Sequence, residues 1–156
     1  MPISYIFVYI VRFGTEDWLV KYLVEVKGDS LTLASSKLSS LALIGAFGAI
    51  GAGVISDKVY KGNRTPINIV FLICLVISLL AFANNQSSTL DFLYAAMIGM
   101  FTAGPQLLIG GICAVESSSR KVASASIGFT GVFGYIGAVL SSTGTGYMVD
   151  KFGWNG

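Results

Sequence analysis

The chain has 156 residues, 54% of them hydrophobic and only 12% charged, with a mean hydropathy of +0.75. A soluble domain carries about twice that charge, and a core this small could not bury so much apolar surface, so the composition points to an integral membrane protein. A net charge of only +2 argues against nucleic acid as a partner, and the absence of histidine removes the commonest general base and metal ligand.

Five apolar segments follow, each long enough to cross a hydrocarbon core of about 30 Å at about 1.5 Å per residue. No cleavable signal is expected ahead of them, since the Met1 segment lacks a positive n-region and a small-residue cleavage site. The first runs from Ile3 to Val24 and is interrupted by Arg12, Glu16 and Asp17; Glu25 to Lys37 is a polar connector. The second is Leu38 to Ile55, followed by the charged loop Ser56 to Thr65. Pro66 then suits the first turn of a helix, where its missing N–H would be unbonded anyway. The third is Ile67 to Ala83, and Asn84 to Thr89 is a neutral turn. The fourth, Leu90 to Val115, carries Gly104-Pro105 inside it; the loop Glu116 to Lys121 leads to the fifth, Val122 to Val149, and Asp150 to Gly156 form a polar edge. Cys74 and Cys113 lie within apolar segments and read as small core hydrophobes.

Charge sets the expected orientation. Lys58, Lys61, Arg64, Arg120 and Lys121 fall in two short loops on one side, so the positive-inside rule puts Met1 on the cytoplasmic face and Gly156 outside. Two segments are rich in glycine at helical spacing, Gly45-x-x-Gly48-x-x-Gly51-x-Gly53 and Gly128-x-x-Gly131-x-x-Gly134-x-x-Gly137. Such rows let membrane helices approach closely, as static packing or as a surface that slides.

The first segment holds the chemistry. Tyr5, Tyr9, Arg12 and Glu16 sit at offsets that share one helical face. An unpaired arginine at the bilayer centre costs roughly 2.5–3.5 kcal/mol on insertion scales, so polar stripes of this kind face a bundle interior or a wet cavity. A phosphate would compensate Arg12 through the planar guanidinium fork; an ion pair with Glu16, or snorkelling to the interface, would also do so. The second feature is Gly53-Val-Ile-Ser-Asp57-Lys58-Val-Tyr-Lys-Gly62-Asn-Arg64. It reads either as a topology-fixing basic hairpin or as a latch in which Asp57 holds a helix end against a basic group.

That loop resembles the signature loop between the second and third helices of each half of major facilitator superfamily transporters. More narrowly, the chain resembles the organophosphate:phosphate antiporters of that superfamily. The resemblance rests on Val8-Tyr-Ile-Val-Arg-Phe-Gly14 with Asp17-Trp18, the loop to Arg64, Gly104-Pro-Gln-Leu-Leu-Ile-Gly110, Gly128 to Gly137 and Gly146 to Gly156. It implies an all-α polytopic membrane protein equivalent to helices 7–11 of a twelve-helix transporter, with residues 1–156 forming part of the carboxy-terminal half. The twelfth helix and the amino-terminal half are then expected to be missing, so that the chain alone would not transport.

The implied function is exchange of glycerol 3-phosphate or a sugar phosphate for inorganic phosphate across the inner membrane, by alternating access, without enzymatic chemistry, metal or cofactor. Arg12 matches the family's phosphate-binding arginine of the seventh helix, Tyr9 and Tyr135 match aromatic positions lining the same cavity, and Gln106 lies where the tenth helix faces it. The chain departs from the pattern at Ala42, Ala103, Ile127 and Thr130, where relatives carry acidic, tyrosine or charged residues, and the substrate stays open between the two classes. Some relatives are sensors of sugar phosphate that signal to a kinase, which is the alternative role; a non-functional truncated gene product is another.

Overall fold

A computed structural model describes residues 2–85, 87–113, 115 and 122–155, and among them it forms long helices and no strand. The elements are α1 (Pro2–Glu25), α2 (Leu31–Lys58), α3 (Arg64–Asn84), α4 (Ser88–Gln106) and α5 (Ala123–Phe152). A π-helical stretch, Leu107–Cys113, prolongs α4, and a 3-10 turn, Gly153–Asn155, ends α5. By length and composition, α2, α3, α4 with its π extension, and α5 could each cross a membrane. The fifth helix, α1, has 24 residues and carries the charged stripe. The loop Glu116 to Lys121, with Arg120 and Lys121, lies outside the described residues.

Two boundaries differ from the apolar pattern for local reasons. Ser30 caps α2 by accepting the Leu33 amide at 3.3 Å, so the helix starts at Leu31, well inside the expected connector. Lys37 therefore stands on a helix and not at the end of a loop. In α4, Pro105 has no N–H to give to the preceding turn. The Leu107 amide bonds both Ala103 and Gly104 carbonyls, and the wider π winding begins there. Pro66 sits in the first turn of α3 behind the cap Asn63, as its chemistry favours.

Small residues set the packing. Helix α2 lies along α4, α1 along α5, and α3 against α4. At the α2–α4 seam a side chain on Gly48 would run into the Met100 main chain, and one on Gly99 into that of Leu41. At the α1–α5 seam Gly137 abuts the Ile6 main chain, and the Ser141 hydroxyl donates to the Ile10 carbonyl at 2.7 Å. Only part of each glycine row is used: Gly51, Gly53, Gly128 and Gly131 have nothing within 4 Å of an added Cβ. Gly48→Val is expected to lower thermal stability in detergent by about 1–3 kcal/mol through overpacking. Gly51→Ala should be neutral or slightly stabilising; equal losses at both positions would contradict this seam.

Candidate functional site

The polar face of α1 opens onto a cavity of about 270 Å³ between α1, α2 and α4. Arg12, Thr15 and Glu16 form one wall and Thr102 and Gln106 another, while Ala42, Gly45, Ala46, Ala49 and Ala103 leave the rest small and apolar. Ala42 and Ala103 line it with single methyl groups, which leaves space beside the arginine.

Arg12 is held from two directions. Its Nε donates to Glu16 Oε1 at 2.9 Å, and an Nη donates to the Gln106 carbonyl oxygen. The side chains of Arg12 and Glu16 remain 32% and 28% exposed. A pair one turn apart, with the cation preceding the anion, is the weaker orientation and contributes about 0.3–0.5 kcal/mol. The pairing considered from the sequence therefore exists, but it is weak, and it leaves guanidinium hydrogens free. Gln106 owes its position to the end of α4, just where the π winding starts.

Tyr5 and Tyr9 continue the polar stripe just beyond the lining of that cavity, with Tyr5 close to the Gln106 side chain. Tyr5 is buried, donates to the Tyr9 hydroxyl at 3.2 Å, and its ring lies over Gly110, where no side chain could fit. Tyr9 meets Tyr135 edge-on with ring centroids 6.1 Å apart. Tyr135 is itself 66% exposed on α5. The structure thus brings Arg12 and Gln106 into contact, sets Tyr9 one turn below them on α1, and joins Tyr135 to the group through Tyr9.

The loop of Gly53, Asp57, Lys58, Gly62 and Arg64 forms a tight turn. Arg64 donates to the Ser56 hydroxyl at 2.9 Å and pairs with Asp57, fastening the start of α3 to the end of α2. Gly62 turns the chain with φ of 86° and donates to the Ser56 carbonyl at 3.0 Å. Lys58 is exposed, and Gly53 lies on α2 with open space around it.

A second polar cluster was not evident in the sequence, where its members count as loop charges. Lys37 and Asp91 are wholly buried. Lys37 Nζ lies 2.5 Å from Asp29 and 3.5 Å from Asp91, and Lys27 Nζ lies 2.5 Å from Asp91. Lys27 also donates to the Asn85 carbonyl at 2.8 Å, and Ser88 donates to Asp29 at 2.9 Å. The quartet joins the α1–α2 connector, α2, the end of α3 and the start of α4 at one end of the bundle. The available signal was the spacing of Lys37 with buried Ala34, Leu41 and Gly45, which puts it on the inward face of α2.

Burial disfavours the Asp29 carboxylate, but hydrogen bonds from Lys37 and Ser88 and the charges of Lys37 and Lys27 outweigh it and hold its pKa below the ordinary 3.8. A lowered folded value means the unfolded chain takes up the proton first as pH falls. The stabilisation from Asp29 is therefore complete above about pH 4 and fades as pH drops through the folded value. Thermal unfolding in detergent should show this loss as pH falls below about 4, and Asp29→Asn should flatten that part of the curve. An unaltered profile would contradict the pairing.

The sequence pattern of the Major Facilitator Superfamily matches residues 1–155. The chain is 37% identical over 96% of its length to a "probable hexose phosphate transport protein" of Chlamydia pneumoniae, covering 33% of that protein. It is 36% identical over its whole length to the membrane sensor protein UhpC of Escherichia coli, covering 36% of it. To the glycerol-3-phosphate transporter of Bacillus subtilis it is 35% identical over 97% of its length, covering 34%. The chain spans about a third of the length of these curated relatives. Their names describe transport and sensing, not catalysis.

Proposed function

The chain belongs to the Major Facilitator Superfamily, and from that premise we propose that it supplies one wall of an organophosphate site in a multi-pass membrane transporter. Within that site Arg12 binds the phosphate, Gln106 steadies the guanidinium, and the hydroxyls of Tyr9 and Tyr135 serve the same ligand. The observation that carries the reading is the placement of Arg12: a guanidinium inside a cavity between helices, lightly held, with N–H donors to spare. At about 4 Å and an effective dielectric near 20, each unit of phosphate charge gains roughly 4 kcal/mol from it. That is of the same order as the cost of placing the arginine in the membrane.

A single cation suits half of such a site. Transporters of this architecture bind at the interface of two related halves and alternate access by rocking one against the other. The present residues correspond to part of the carboxy-terminal half, and the other half supplies the opposing wall. Inorganic phosphate returns through the same site in exchange for glycerol 3-phosphate or a sugar phosphate. The protein resides in the inner membrane, with the Asp57–Arg64 turn on the cytoplasmic face.

The test is counterflow: the protein as its own cells make it, reconstituted in liposomes loaded with phosphate, should exchange labelled phosphate for external glycerol 3-phosphate or glucose 6-phosphate. Similarity to a membrane sensor protein supports a second reading, in which occupancy of the site is signalled to a partner kinase. Saturable binding without counterflow would favour that one, and neither binding nor counterflow would sink both.

A further inference from the structure

We infer that Glu16 is the resident counter-anion of Arg12, seated on the guanidinium while the site is empty and displaced from it by the phosphate of an arriving ligand. The inference rests on the phosphate-binding role of Arg12 proposed above. It makes Glu16 a competitor built into the site, one that sets how tightly an anion is held.

Charge is the first reason. Among the described residues, the cavity wall contains one cation, Arg12, and one anion, Glu16. Paired, they make the empty cavity neutral. A phosphate entering with Glu16 still seated would set two anions against one guanidinium, and like charges sharing a site disfavour each other.

Geometry is the second. Bidentate recognition needs two adjacent N–H groups of the fork. Glu16 holds Nε at 2.9 Å and Gln106 holds an Nη, so each bidentate edge of the guanidinium already has one nitrogen engaged. Gln106 can keep its Nη, because the departure of Glu16 alone frees the Nε edge for two phosphate oxygens. The carboxylate is the group that must be outcompeted.

The third reason is that Glu16 is free to leave. Its side chain is 28% exposed, and Arg12 is the only hydrogen-bond partner it has among the described residues. A carboxylate meant to position the arginine would itself be anchored, as Asp29 is by Lys37 and Ser88. Glu16 has no such second support. The exchange of one anion for another then keeps Arg12 partnered in both the empty and the loaded site.

The experiment compares binding of inorganic phosphate to the unsubstituted protein and to Glu16→Gln, each as its cells make it, in lipid nanodiscs by calorimetry. Glutamine keeps the shape and can still accept from Arg12, but it carries no charge. The inference expects Glu16→Gln to bind phosphate at least about fivefold more tightly, with Glu16→Ala shifting the same way. A merely structural role would move affinity in the opposite direction. Unchanged or weaker binding in a variant that unfolds at the usual temperature overturns the inference while leaving the role of Arg12 standing. Absence of phosphate binding in the unsubstituted protein overturns the functional reading, and this inference with it.

Discussion

Arg12→Lys is expected to abolish phosphate exchange in proteoliposomes, with a loss of at least about a hundredfold relative to the unsubstituted protein. A lysine keeps the charge, so the loss must come from geometry. The ammonium is a compact point charge, whereas the guanidinium presents a planar fork matched to two phosphate oxygens. Lysine would also give up one of the two directions in which Arg12 is now held, by Glu16 and by Gln106. Arg12→Ala should be at least as severe, since roughly 4 kcal/mol of attraction per unit of phosphate charge disappears with the cation. Neither change should unfold the protein, because the Arg12–Glu16 pair is half-exposed and contributes little to stability. Undiminished exchange in Arg12→Lys would remove the phosphate from this site.

The largest effect on stability is expected at the buried quartet. Lys37→Met should destabilise the bundle by about 3–5 kcal/mol, because it strands two carboxylates, Asp29 and Asp91, with Lys27 as their remaining cation. Replacing Lys37 and Asp29 together, by methionine and asparagine, should recover most of that loss. The close pair then leaves as a unit, and Lys27 stays on Asp91 at 2.5 Å. Thermal unfolding of the two single variants and the double variant in one detergent gives the coupling directly. If the double variant loses as much as the sum of the singles, the contacts between Lys37 and the carboxylates do not hold this end of the bundle together.

Helices were legible from apolar length, and the inward stripe of α1 from offsets alone, because both depend on periods that the chain states openly. Tyr5, Tyr9, Arg12 and Glu16 do share a face, and Asp57 does find a basic partner in Arg64. What stayed hidden depends on contacts between distant segments. Lys27, Asp29, Lys37 and Asp91 look like surface charges until the connectors fold over one another and exclude water. The onset of α2 at Leu31 was masked by serines, which read as loop residues although Ser35 and Ser36 bond back to carbonyls of their own helix. Pro105 announced an irregularity in α4 but not its kind; the wider winding that follows depends on how the neighbouring helices pack. Tyr135 illustrates the same limit from the other side, since a motif position cannot tell which way an exposed ring on α5 will turn.

The two glycine seams have a mechanical consequence. Helices whose main chains touch, as α2 and α4 do at Gly48 and Gly99, move as one beam, and so do α1 and α5 at Gly137. Arg12 rides on one beam and Gln106 on the other, joined by a hydrogen bond that bridges the gap. A small change in the angle between the beams therefore becomes a change in the aperture at Arg12. The cavity works as a caliper, with the guanidinium on one jaw and the amide on the other.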